Sequence, residues 1–143
     1  MSLCTIGTRS VVTVEPATPV VRVAGIMEDR SVGSVVVVDG DRPVGIITDR
    51  DLVTRVLAPG KDPAALTARD VMTAPLKTVS EADEALKAAT LMREAHVRRL
   101  PVLSGEGRLV GIIALDDLTY HLSRCYHEMA EAIAQFPVPH AGG

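Results

Sequence analysis

The sequence predicts a mixed α/β fold of two tandem β-α-β-β-α units related by a pseudo-two-fold axis, with their sheets packed together and helices outside. Three observations predict it. The chain repeats itself, each copy alternates strand-like and helix-like patterns, and its valine-rich strands lack polar alternation. Thr8 aligns with Thr73, Thr13 with Thr78, Val14 with Val79, Met27 with Met92 and Val37 with Val102, all at an offset of 65. One extra residue in the Gly105-Glu106-Gly107 turn raises the offset to 66. Val44-Gly45-Ile46-Ile47 then matches Val110-Gly111-Ile112-Ile113, and Asp51-Leu52 matches Asp117-Leu118.

Each unit opens with a short strand, Val11 to Val14 or Leu76 to Val79. A helix follows, with an apolar stripe of Val20, Val21, Ala24 and Met27 in the first copy and Ala85, Leu86, Ala89 and Met92 in the second. A hairpin comes next. In the first copy Val35 to Val38 and Val44 to Thr48 flank Asp39-Gly40-Asp41, where Asp-Gly suits a tight turn. In the second, Leu100 to Leu103 and Leu109 to Ala114 flank Gly105 and Gly107. A closing helix runs through Leu52, Val53, Val56 and Leu57, or through Leu118, Leu122 and Cys125 and on to about Gln135. The units are therefore residues 1–58 and 71–124. Residues 59–70 form a linker with a short helix, and residues 125–143 are a helical extension with a frayed Pro- and Gly-rich tail.

The four Val35–Val38 side chains call for burial on both sheet faces, which two such units achieve by packing against each other. That is a physical reason for the duplication.

Composition narrows function. A net charge of −3, two Tyr, one Phe and no Trp leave neither a basic footprint nor stacking aromatics, so nucleic acid is not an expected partner. No apolar run reaches the roughly 18 residues of a membrane span, and no leader pattern precedes the first strand. Cys4 and Cys125 form no CxxC pair, which fits a reducing cytoplasm. Apolar residues at 47% suggest some burial between subunits. His121, Cys125 and nearby His127 could chelate a metal, although a protein zinc site normally takes three or four convergent ligands and none is expected here. No P-loop, dinucleotide fingerprint or nucleophile elbow is visible, and nothing indicates catalysis.

The motif Gly45-Ile46-Ile47-Thr48-x-x-Asp51, with Val97-Arg98-Arg99-Leu100-Pro101-Val102 before the second hairpin and Met27 and Met92 late in the first helices, resembles the cystathionine-beta-synthase (CBS) domain family. The pair resembles its tandem arrangement, the Bateman module, over about Thr5 to Ser123. The resemblance implies a stand-alone, non-catalytic regulator binding an adenine nucleotide (AMP, ADP or ATP) in clefts between the repeats. It also implies a homodimer, often a flat disc, with output through that assembly or an effector protein. Carried over by position, the first cleft uses Ser34, Ile46, Thr48, Asp51, Thr73, Lys77, Val97 and Arg98. The second uses Thr8, Val12, Val32, Gly33, Arg99, Ile112, Ala114 and Asp117.

The chemistry is coherent. Asp51 can accept hydrogen bonds from both ribose hydroxyls, and Ile46 and Val97 can line an adenine slot. Thr48, Thr73, Lys77, Arg98 and a helix start can meet phosphates. Thr48-x-x-Asp51 is equally a helix capping box worth about 1 kcal/mol. Ala114 lacks the capping hydroxyl, so the Asp117 cleft is expected to be the weaker one. Paired arginines at a strand entry are often merely solvated or bridged to a neighbour such as Glu94, and Lys77 is also at home on a sheet edge. The alternatives are a structural module without a physiological ligand, or a metal- or redox-linked regulator using His121, Cys125 and Cys4.

Overall fold

The computed structural model describes Leu3, Ile6, Gly7 and residues 10–136. Cys4, Thr8 and the tail at 137–143, named above, lie outside the described residues. The elements run β1 (Thr13–Val14), α1 (Val20–Arg30), β2 (Ser34–Asp39), β3 (Arg42–Thr48) and α2 (Asp49–Leu52), which continues as a π-helical turn over Val53–Leu57. A 3₁₀ turn (Pro63–Ala65) and α3 (Ala68–Val71) lead to β4 (Val79–Ser80), α4 (Ala85–Ala95), β5 (Arg99–Leu103), β6 (Leu109–Ala114) and α5 (Leu115–Ala134).

The strands form two three-stranded sheets, ordered β1-β2-β3 and β4-β5-β6, each with one parallel and one antiparallel pairing. Their registers keep the 65-residue offset: Thr13 and Val14 pair with Val36 and Val37, while Val79 and Ser80 pair with Val102 and Leu103. The opening strands are shorter than expected, two residues each, because pairing starts only at Thr13 and Val79. Gly40 turns the first hairpin at φ 61°, the left-handed conformation that Asp-Gly serves.

Two cores result, one per repeat. Val35 and Val37 join α1 and β3 side chains in the first core, whereas Val36 is fully buried yet belongs to neither. Pro101, its counterpart at +65, behaves the same way. Strand alternation turns both to the opposite sheet face, which is therefore also dry.

The helical stripes differ from expectation. In α1 the buried residues are Val20, Val23 and Met27, with Val21 and Ala24 exposed. In α4 they are Ala88 and Met92, with Leu86 exposed. Val20-Val23-Met27 and Ala85-Ala88-Met92 are matching sets, and both spacings suit an α-helix, so only docking against the sheet selects the face. Val53, Leu57 and Leu122 are likewise exposed, while Val56 and Leu118 are buried. Among the described residues no helix is long and apolar enough to cross a membrane.

The segments preceding the first strands cross over. Ala68 and Val71 of α3 complete the first core, and Leu3, 65 residues earlier, is buried in the second. Met72 lies against Gly45, where an added Cβ would fall within 2.9 Å of the Met72 Cγ. Gly45→Ala should therefore destabilise the fold by about 1–3 kcal/mol, read as a lower urea midpoint.

Two hydrogen-bonded carboxylates, Asp83 and Asp70, make stability pH-dependent. Lys87 Nζ bonds Asp83 Oδ1 at 2.7 Å and the Ser80 N–H bonds Oδ2 at 2.8 Å, holding that carboxyl below its ordinary range. The Thr67 N–H and hydroxyl lower Asp70 in the same way. A group with a depressed folded-state value stabilises above its unfolded value, about 3.9, and this contribution is lost as pH falls through the folded value. Unfolding free energy should fall on acidification below about pH 4, and less steeply in the Asp70→Asn/Asp83→Asn variant, measured by denaturant titration across pH.

Candidate functional site

The Thr48–Asp51 turn exists because β3 runs directly into α2, and the two side chains cap it reciprocally. The Thr48 N–H donates to Asp51 Oδ2 at 2.9 Å, and the Asp51 N–H donates to Thr48 Oγ1 at 3.2 Å. Thr48 keeps its hydroxyl hydrogen free to donate elsewhere. Asp51 Oδ1 faces the chain leading into the second repeat, accepting from Thr73 Oγ1 at 3.4 Å and lying 3.8 Å from Arg55 Nε. Thr73 is held there by a two-bond bridge to the first sheet. Its N–H donates to the Ile46 carbonyl at 2.8 Å, and the Ile46 N–H donates to the Thr73 carbonyl at 3.2 Å.

These groups line one cleft of about 580 Å³ between the repeats. Ile46, Thr48, Asp51 and Thr73 form one wall, and Val97 and Arg98 face them. The Arg98 and Asp116 side chains, both largely exposed, pair at 3.4 Å. Arg99 and Ala114, assigned from sequence to the other site, open onto the same space, which the first residues of both α2 and α5 line.

A family profile described as CBS domain matches residues 4–58 and 68–124. The chain belongs to the CBS-domain family. It is 40% identical over 119 residues to an uncharacterized protein of Methanopyrus kandleri, covering 82% of this chain and 61% of that relative's length. A putative signal-transduction protein with CBS domains from Burkholderia ambifaria superposes with a TM-score of 0.79 at 30% identity, over 85% of this chain and 93% of that one. A hexameric CBS-CP12 protein from bloom-forming cyanobacteria superposes with a TM-score of 0.77 at 28% identity, over 84% of this chain and 67% of that one.

Within the tandem CBS pair, several carried-over residues sit apart from the cleft. Ser34 is engaged in the hairpin opposite Thr48, and Lys77 is exposed ahead of β4. Val12 and Val32 pack against the first core, and neither they nor Ile112 line the cleft. Gly33 has a steric role: a Cβ there would lie 3.1 Å from Arg99 Nη2 and 3.3 Å from Asp49 Oδ2, so its absence makes room for both groups. Asp117 accepts the Ala114 N–H at 2.8 Å, half of a capping box that alanine cannot complete.

The first three N–H groups of α2 are already used, by the Gly33 carbonyl, Asp49 Oδ1 and Thr48 Oγ1. Anion contacts at that wall must therefore come from hydroxyls and arginines. Asp49, Arg50, His96, Leu115 and Asp116 also line the cleft and were not singled out from sequence. Their signal was adjacency, since four of the five occupy the first helical positions after β3 and β6. His96 ends α4 in the left-handed conformation at φ 54°, as Ser31 ends α1 at φ 53°. On α5, His121 Nε2 lies 3.7 Å from Cys125 Sγ. Among the described residues no group of three His, Cys, Asp or Glu side chains converges to hold a metal.

Arg55 is a further residue without a sequence signal. Its guanidinium donates to the Val71 and Met72 carbonyls at 2.9 and 2.8 Å while facing Asp51, and so holds the crossing segment against the α2 wall. Arg55→Ala should lower stability by about 1–2 kcal/mol, measured by urea denaturation, with Arg55→Lys recovering only part because a single ammonium cannot both serve the two carbonyls, as Nη1 does, and face Asp51, as Nε does.

Proposed function

We propose that this tandem CBS pair is a non-catalytic regulatory module that binds an adenosyl ligand bearing phosphate, in the AMP, ADP and ATP class, in the cleft between its repeats. The observation that carries the reading is Asp51, a carboxylate fixed by the Thr48 N–H with Oδ1 turned toward Thr73 across the repeat boundary. In this reading the ribose hydroxyls take over the Thr73 contact with Asp51. Adenine lies between Ile46 and Val97, and the phosphate is met by the Thr48 and Thr73 hydroxyls and by Arg98. Phosphate oxygens replace the exposed Asp116 carboxylate at Arg98, where the existing pair is weak.

Charge favours the monophosphate. Arg50, Arg98 and Arg99 line the cleft with Asp49, Asp51 and Asp116, three cations against three anions, so each added phosphate meets less uncompensated positive charge. The second site, at Asp117, binds more weakly because Ala114 lacks a hydroxyl and Arg99 packs against Gly33. A ligand touching Thr48 to Asp51 on one side and Val97 and Arg98 on the other couples the repeats. It shifts their packing by its difference in affinity for the two arrangements. Output then passes through self-association, which the hexameric relative supports, or through an effector protein.

Isothermal titration of AMP, ADP, ATP and S-adenosylmethionine against the wild type tests this. AMP should bind most tightly, Asp51→Ala should weaken it at least about tenfold, and Arg98→Ala should weaken AMP while leaving adenosine unchanged. Absence of binding by all four, or an unaltered Asp51→Ala variant, would leave the structural-module reading in its place.

A further inference from the structure

The first sheet has an open edge at β1, which ends the order β1-β2-β3. Thr13 pairs in parallel with Val36, whose N–H donates to the Val12 carbonyl at 3.0 Å. A parallel ladder bonds one residue to the two that flank its partner, so the N–H and C=O of Thr13 itself point away from β2. Among the described residues no other backbone group meets them, and Thr13 is exposed. Such an edge is a template for another extended chain. Beside it lie two adjoining pockets of about 430 and 420 Å³, both lined by Thr13, Arg22 and Ile26, which together make one groove between β1 and α1. Arg30 lines the first of them.

The helix wall carries the specificity. Arg22, Ile26 and Arg30 follow one another at four-residue steps along α1, a stripe in which each is about 6 Å from the next. Alternate residues of an extended chain are about 6.6 Å apart on one face. A strand laid on β1 therefore sets its residues i, i+2 and i+4 opposite Arg22, Ile26 and Arg30. The duplication shows what is particular to this groove. At the 65-residue offset, Arg22 corresponds to Lys87, which bonds Asp83 at 2.7 Å, and Arg30 corresponds to Ala95. Thr18 stands in the place of Asp83, so Arg22 lacks the carboxylate that neutralises its counterpart. Among the described residues neither Arg22 nor Arg30 has an ion-pair partner. Asp29 and Glu15 also line the groove and balance its charge. A run of acidic residues therefore gains little, and recognition rests on carboxylates placed at the two arginines, each able to take one in a two-bond fork.

We propose that the groove between β1 and α1 docks an extended segment of a partner protein, which adds a strand to β1 and carries the pattern acid-x-apolar-x-acid. The two acidic residues meet Arg22 and Arg30, and the apolar one covers Ile26. None of the groove's lining residues lines the cleft between the repeats, so the proposal holds whether or not that cleft is filled. The probe is a fluorescein-labelled peptide with Glu-Thr-Val-Thr-Glu at its centre, read by fluorescence polarisation against the full chain. Saturable binding is expected, with a Kd on the order of 10–100 µM. Arg22→Glu/Arg30→Glu should weaken it at least about tenfold, and the same peptide with Lys in both Glu positions should bind that variant and not the wild type. Moving both Glu residues to one end, at unchanged composition, should also cost about tenfold. Thr13→Pro, which removes only an outward N–H, should weaken binding and leave the thermal unfolding transition in place. The proposal is overturned by no saturation up to about 1 mM, by equal binding to the double variant, by indifference to Glu spacing or by an unaffected Thr13→Pro. Displacement of the peptide by inorganic phosphate at constant ionic strength would overturn it too, since the arginines would then form a simple anion site. So would a double variant that sediments more slowly than the wild type without peptide, which would assign the groove to a second copy of the chain.

Discussion

The structure depends on a reciprocal crossing of two short segments between the repeats. Ala68 and Val71 close the core of the first repeat although they precede the second, and Leu3 is buried in the core of the second although it precedes the first. The Ile46–Thr73 backbone bridge fixes one crossing, and Arg55 reinforces it by satisfying two carbonyls at the end of α3. Neither repeat has a complete core without the other's leader. Backbone hydrogen bonds can be made only in register, so the crossing also sets the position of Thr73 to within the reach of Asp51.

From that crossing the cleft follows. Val36 and Pro101 bury the inner sheet faces, which brings the β3 and β6 ends into one region and points both helix starts at a shared space. Polar groups collect there because strand ends leave backbone groups to be capped, and capping selects Thr and Asp. Capping and ligand binding draw on the same atoms. Asp51 uses Oδ2 for its helix and presents Oδ1 across the boundary, so one carboxylate can serve both roles. At α5, Asp117 caps with Oδ2 but has no threonine partner, and the two helix starts have diverged in chemistry while keeping their geometry.

The exposed end of α5 follows a different physical rule from the repeats. Inside them, burial is satisfied by valine, isoleucine, leucine and methionine, and the cores contain no aromatic side chain. The aromatics sit where the helix leaves the fold.

The sequence by itself determined the duplication, the element order, both hairpins and the boundary of α5, because these rest on local periodicity, turn chemistry and self-similarity. It also placed Ile46, Thr48, Asp51, Thr73, Val97 and Arg98 together, through a resemblance that already encoded their spatial relation. Only the tertiary structure decided which helix face is buried, since Val20-Val21-Ala24-Met27 and Val20-Val23-Met27 are both acceptable helical stripes and the sheet alone chooses between them. It alone brought both helix starts onto one cleft and recruited Arg55. Those outcomes depend on contacts between segments far apart in the chain, and one-dimensional patterning carries no information about the angle at which two such surfaces meet.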